Sequence, residues 1–201
     1  MTPTPTDSAA LLKRRQILHG ALEIFLEEGY EGTSMDRVAA AAGVSKITIY
    51  KHFQDKEGLF TALIEQIAIQ RFEIIFGALP LDQDPAIVLW QIAEKLLNLL
   101  AVDDEYVAFL RLIIGESGRF PKLAQLFVKA LPQKVWHLLS QYFETHPELN
   151  IANPEATARI FTGTLISYAM TQHILHGQEI APMAAEPLIK SLVDLVVSRR
   201  S

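Results

Sequence analysis

Residues 33–60 read TSMDRVAAAAGVSKITIYKHFQDKEGLF, and no other segment of the chain is as specific. Two short helical stretches flank a tight turn at Gly43 and Val44. Thr33 and Asp36 stand at capping-box spacing and open the first. Ser45 is placed to cap the second. Behind it come Lys46, Thr48, Tyr50, Lys51 and His52, while Ile49 and Phe53 recur at the spacing of a buried stripe. One helix buried as a brace and one presenting side chains to a major groove is the layout of a helix-turn-helix.

Working outward, almost every segment has helical periodicity and no run alternates like a strand. A first helix is expected from residue 7 or 8 to 28, with Ile17, Ala21, Ile24 and Phe25 as its apolar stripe and Gly29 as its stop. Asp55 caps a fourth helix that carries Leu59, Leu63 and Ile67 to about residue 76. Residues 77–84 form the expected boundary. The division is then residues 1–56 for arm and head, a linking helix over 56–77, and a body over 78–201. In the body, Asp84-Pro85 and Asn153-Pro154 each combine an N-cap with proline at the first helical position. Further helices are expected over about 85–100, 103–115, 121–143, 154–176 and 185–198. Pro132 must kink or split the third of these. The fold class is all-α, with about nine helices.

The chain has 201 residues, half of them hydrophobic, and a net charge of −5. That total argues against a generic polyanion binder. The distribution matters more: Lys13, Arg14 and Arg15 form one cluster, and Lys46, Lys51 and Lys56 another. The first residues, MTPTPTDSAALLKRRQ, place charge after Pro and Thr, the reverse of a signal peptide, and read as a short disordered arm. No long uncharged apolar run indicates a membrane span, so the cytoplasm is the expected compartment. The chain has no Cys, which excludes disulfides and Cys-based zinc sites. No nucleophile elbow and no Gly-rich phosphate loop is present. No enzymatic activity and no cofactor is expected. His173 and His176, three apart, lack a third metal ligand.

Several elements together carry a family likeness: Ala21-x-x-x-Phe25, Gly29-Tyr30, Thr33-Ser34-Met35, Val38-Ala39, Ala42-Gly43-Val44-Ser45, Tyr50-x-His52-Phe53 and Lys56-Glu57-x-Leu59-Phe60. Residues 17–60 resemble the N-terminal domain of TetR-family transcriptional regulators. The run RLIIGESGRFPKLAQLF, at residues 111–127, is similar to the body of AcrR-like and AefR-like efflux regulators. The resemblance implies a homodimer with a three-helix head that binds a double-stranded operator, and a larger body that binds a small effector. Thr48, Tyr50 and His52 would then bond phosphates, and Lys46 and Lys51 would reach base edges or backbone. Thr33, Ser34 and Lys56 would add phosphate contacts. Ile47 departs from the family's usual small or polar residue. It would either touch a thymine methyl or pack locally.

The body residues are less legible. Trp90, Phe109, Trp136, Tyr168 and Gln172, with Arg111, Glu116 and Arg119, are candidates for an apolar effector cavity with polar anchors. Aromatic residues at helical spacing are equally ordinary core. The last two long helices carry more apolar positions than one layer buries. Ile160, Leu165, Leu188, Leu192 and Leu195 are therefore expected at a dimer interface. The functional expectation is a repressor released by an apolar molecule. The alternatives are a regulator without an effector, an activator or, from another class, a helical ligand-binding protein or enzyme with a vestigial head.

Overall fold

The computed structural model describes residues 5–198, with side chains from residue 9 onward. Among the described residues all regular structure is helical. In order, the elements are α1 (Pro5–Gly32), α2 (Met35–Ala41), α3 (Lys46–Phe53), α4 (Lys56–Phe76), α5 (Pro85–Val102), α6 (Asp104–Glu116), α7 (Pro121–Ala130), α8 (Pro132–Glu144), α9 (Pro154–Ala169) and α10 (Ala185–Val197). α1 begins at Pro5, so the expected disordered arm is helical wherever it is described. Gly29 breaks α1 as expected, because φ 73° there is a left-handed value that glycine tolerates. Pro132 splits the long stretch after residue 121, because its ring leaves no amide for the preceding turn. α9 stops short of residue 176. It loosens into a π turn over Met170–Ile174, and His176 ends the run at φ 56°.

Packing divides the chain into two compact units. The first unit is Met1–Ala68 with Ala108–Phe127; the second is Ile69–Val107 with Val128–Ser201. The second half of α6 and most of α7, body by sequence position, therefore pack with the head. Phe109 explains why. It is fully buried, 6.4 Å from the ring of Phe60 and 6.2 Å from that of Phe127. Around them Phe25, Tyr30 and Phe60 stack and meet edge-on, with centroids 4.7 to 5.9 Å apart. Edge-on rings add to area burial because the positive edge of one faces the negative face of the next.

In the second unit α5 packs on α9 and α10, α9 on α8, and α10 on α9. α5 buries Val88, Leu89, Ile92, Ala93, Leu96, Leu97, Leu99 and Leu100 against them. By length and composition alone α5 could cross a bilayer, with 18 residues of mean hydropathy 1.4, but it carries Glu94 and Lys95 and half of it is buried inside the protein. Each large aliphatic side chain so buried contributes about 1.5–3 kcal/mol, which accounts for its apolar composition as a core helix.

Candidate nucleic-acid interface

α2 and α3 are built as a brace and a presented helix. Val38 and Ala39 on α2, and Ile49 and Phe53 on α3, are buried. Ser34 caps α2 by accepting the Arg37 amide at 3.3 Å, so the cap sits one residue later than the Thr33 capping box expected. Ser45 caps α3, accepting the Thr48 amide at 3.1 Å and sharing a hydroxyl bond with Thr48 Oγ1 at 2.8 Å. Gly43, at φ 60°, makes the turn between them. Gln16 on α1 holds that turn by donating Nε2–H to the Ala42 carbonyl at 2.7 Å. Arg37 ties α2 to α1 through Glu27 at 3.0 Å and Glu28 at 2.8 Å.

With Ile49 and Phe53 facing inward, α3 turns Lys46, Ile47, Tyr50, Lys51 and His52 to solvent. Ile47 is 69% exposed and Tyr50 43%. Lys46 is paired with Asp36 at 2.8 Å, and that hydrogen bond raises its pKa further above neutrality. The Asp36 carboxylate thus favours its charged form. Arg14 on α1 lies over the Phe53 ring at 5.2 Å, which sets the basic cluster of α1 beside the end of α3.

Two residues expected at phosphates have their polar atoms engaged within the protein. Thr33 is only 3% exposed, and its hydroxyl donates to the Gly29 carbonyl at 2.7 Å. Lys56 spends all three ammonium hydrogens on the corner after α1. Nζ donates to the carbonyls of Tyr30, Glu31 and Thr33 at 2.8, 2.9 and 3.0 Å, and lies 5.0 Å from the Tyr30 ring centre. The break at Gly29 leaves carbonyls without helical partners, and a lysine ammonium supplies them. Burial, then the charges of Glu57 and Asp55, raise the Tyr30 pKa, so that phenol stays neutral.

Two family models match the chain. One, bacterial regulatory proteins of the tetR family, covers residues 17–63. The other, the C-terminal domain of AefR-like transcriptional repressors, covers residues 87–199, more than half of the chain. The chain belongs to the TetR family. YvkB of Bacillus subtilis, an uncharacterized HTH-type transcriptional regulator, is 27% identical over 91% of this chain and 94% of its own length. A TetR-family regulator from Mesorhizobium loti superposes with a TM-score of 0.77 at 27% identity, covering 94% of this chain and 96% of that one. The flavonoid-responsive regulator FrrA superposes at 0.73 with 29% identity, covering 92% and 95%. The chain spans only 38% and 35% of the length of the first two curated repressors it matches.

The candidate effector residues of this TetR chain divide between the two units. Phe109, Glu116 and Arg119 belong to the first unit and hold the head together. Glu116 Oε1 accepts the Tyr30 amide at 3.0 Å, Arg119 pairs with Glu31, and Phe120 meets the Tyr30 ring edge-on at 4.7 Å. Arg111 is exposed on α6. In the second unit Trp90 lines a groove of about 470 Å³ between α5 and α10, with Ile87, Lys190 and Asp194. Trp136 lines another, of about 520 Å³, beside α8 and α9. Its indole donates to Thr162 Oγ1 at 3.1 Å, and Arg159 covers its face at 4.0 Å. Tyr168 and Gln172 fasten the segment before α10: Tyr168 donates to the Met183 carbonyl at 2.6 Å, and Gln172 donates to Ala181 and accepts from the Met183 amide. Burial raises the Tyr168 pKa. The His173 ring lies edge-on to Tyr168 at 6.1 Å.

The dimer candidates also separate. Leu165 and Leu192 are buried within the chain. Ile160 is 65% exposed and Leu195 71%, and Leu188 is half-buried. Helical phase is the reason on α9, where residues 160 and 165 lie about 140° apart; on α10, Leu195 lies about 60° from Leu192 and flanks the buried stripe of Ile189, Leu192, Val193 and Val196. The sequence also gave no weight to Arg71, which is paired with Asp103 at 2.8 Å. The available signal was a lone cation in the apolar second half of α4.

Proposed function

We propose that this chain is a homodimeric, sequence-specific DNA-binding repressor that leaves a palindromic operator when a small, mostly apolar molecule occupies its body. The observation that carries the reading is the face of α3, where Lys46, Ile47, Tyr50, Lys51 and His52 stand in solvent over the buried Ile49 and Phe53. The lysines supply charge for phosphates or guanine edges, and Ile47 an apolar contact for a thymine methyl. Tyr50 and His52 supply short polar reach to the backbone, and Ser34, Ser45 and Thr48 hold the two helix starts against it. A protein that binds an operator must share its compartment, so the proposal includes the cytoplasm.

The outward apolar face of α9 and α10, with Ile160, Leu188 and Leu195, supports dimerisation. A two-fold dimer presents two copies of α3 to successive major grooves about 34–36 Å apart. An effector that prefers a body with another spacing weakens operator binding by its differential affinity, and the operator weakens effector binding equally. The likeness to a regulator described as flavonoid-responsive supports a small apolar effector.

The test is fluorescence anisotropy on labelled DNA from upstream of the protein's own gene. The expected result is tight binding that falls steeply with salt and is lost in Tyr50→Ala/Lys51→Ala. Equal affinity for upstream and random DNA would defeat the sequence-specific reading.

A further inference from the structure

Arg71 is the only cation of α4 beyond Lys56, and it is largely withdrawn from water, with its side chain 12% exposed. Nη2 pairs with Asp103 Oδ2 at 2.8 Å. The guanidinium lies over the Tyr106 ring, 5.0 Å from its centre. Nε is buried and has no hydrogen-bonding partner among the described residues. Asp103 is engaged through both oxygens, since Oδ1 accepts the Tyr106 amide at 2.9 Å and so caps α6. Burial outweighs the lowering influence of Arg71 and holds the Tyr106 phenol neutral, well above the ordinary tyrosine range.

A buried N–H without an acceptor is costly, and a guanidinium is the strongest such donor a protein has. The two charges here already cancel, Arg71 against Asp103. A second anion beside Asp103 would be buried without compensation, whereas a neutral oxygen would complete the donor set at no electrostatic cost. Arg71 also stands on α4, the helix whose first residue, Lys56, ties down the corner of the head. An acceptor bound at Arg71 therefore acts on an element that continues into the DNA-binding unit.

We propose that Arg71 is the polar anchor of the effector site, and that it donates Nε–H to a neutral carbonyl or ester oxygen of an otherwise apolar ligand. This deepens the effector-release reading and rests on it. It selects against carboxylates and other anionic ligands.

The experiment uses the full-length protein and matched probes: methyl decanoate against decanoate, methyl cinnamate against cinnamate, and flavone as a neutral aromatic ketone. Binding is detected by thermal shift and quantified by calorimetry. The neutral member of each pair is expected to bind about tenfold or more tightly, the worth of one good hydrogen bond. Arg71→Lys keeps the positive charge but removes the Nε–H, and should cost the neutral probes about the same factor. Asp103→Asn keeps an oxygen to cap α6 and removes the compensating charge, so it should reverse the order and favour the carboxylates. If Arg71→Lys does not fold, Asp103→Asn carries the test alone. Four results would overturn the proposal: preference of the parent protein for carboxylates, undiminished binding by Arg71→Lys, an unmoved order in Asp103→Asn, or no binding of any neutral probe. Operator anisotropy on the same preparations separates the two levels. Failure of the parent to bind upstream DNA sinks the DNA-binding reading, whereas intact operator binding with any of the four results sinks only the role of Arg71.

Discussion

At the scale of single residues, Lys56 and Ile47 exchange the roles their chemistry suggests. The cation turns inward and the isoleucine outward. Lys56→Met should remove three charge-assisted bonds from the α1–α2 corner and cost about 1.5–3 kcal/mol in denaturant unfolding. The salt slope of DNA binding should not move. A slope lower by roughly 2 per dimer would show instead that the ammonium meets phosphates. Ile47→Ala leaves the core untouched, because Ile47 is exposed. It should therefore leave the melting temperature unchanged while relaxing preference at one A·T pair per half-site by about 1 kcal/mol. A lowered melting temperature with equal loss on random DNA would mean that Ile47 packs locally. Spacing places both residues on their helices, but neither role was legible from it. Whether a lysine meets DNA or a carbonyl depends on which carbonyls Gly29 leaves unpartnered, and that is a property of the corner, not of the motif.

At the scale of elements, α10 shows how phase divides one apolar helix between two tasks. Ile189, Leu192, Val193 and Val196 are buried, and Leu195 is exposed. Leu192→Ala should cost about 2–5 kcal/mol by opening a cavity in the protomer. Leu195→Glu should leave protomer stability nearly unchanged and shift sedimentation from dimer to monomer. A stable dimer of Leu195→Glu would move the interface off this face. The periodicity made α10 apolar and helical in advance. It did not say which leucines face a neighbouring helix, because an amphipathic stripe with a second apolar flank has two candidate inner sides until α5 and α9 occupy one of them.

At the scale of the whole molecule, two solution properties follow. Tyr142 is buried with a hydroxyl that has no hydrogen-bonding partner among the described residues, and burial, with the nearby carboxylates of Asp84 and Glu148, pushes its pKa from 10.0 to about 12. The folded state then holds a proton that the unfolded chain has released. The associated stability is fully present below pH 10 and is lost as pH rises from 10 towards 12, at up to roughly 1.4 kcal/mol per pH unit. Tyr142→Phe should match or exceed the parent at neutral pH by up to about 1 kcal/mol, since it removes an unsatisfied group, and should flatten the alkaline loss. An unchanged alkaline limb would assign that loss to other tyrosines. The second property is reciprocal linkage. A true inducer must bind free protein more tightly than operator-bound protein by the factor with which it weakens operator binding, about 5–150-fold. Titrating the same ligand with and without operator measures both sides, and equal affinities would disqualify that ligand as the inducer.

The all-α class, the helix breaks at Gly29 and Pro132, the turn at Gly43 and the exposed set on α3 all rest on local chemistry: caps, left-handed glycines, proline and a short stripe of two buried residues. Such signals act within one or two turns of chain and can be read without a partner. The distribution of residues 108–127 could not be read this way. Phe109, Glu116, Arg119 and Phe120 look like body residues until Phe60, Tyr30 and Glu31 are beside them. The pairing of Arg71 with Asp103 likewise joins positions with 31 residues between them. Burial and charge compensation are properties of what arrives from elsewhere in the chain, so only tertiary packing could assign these side chains.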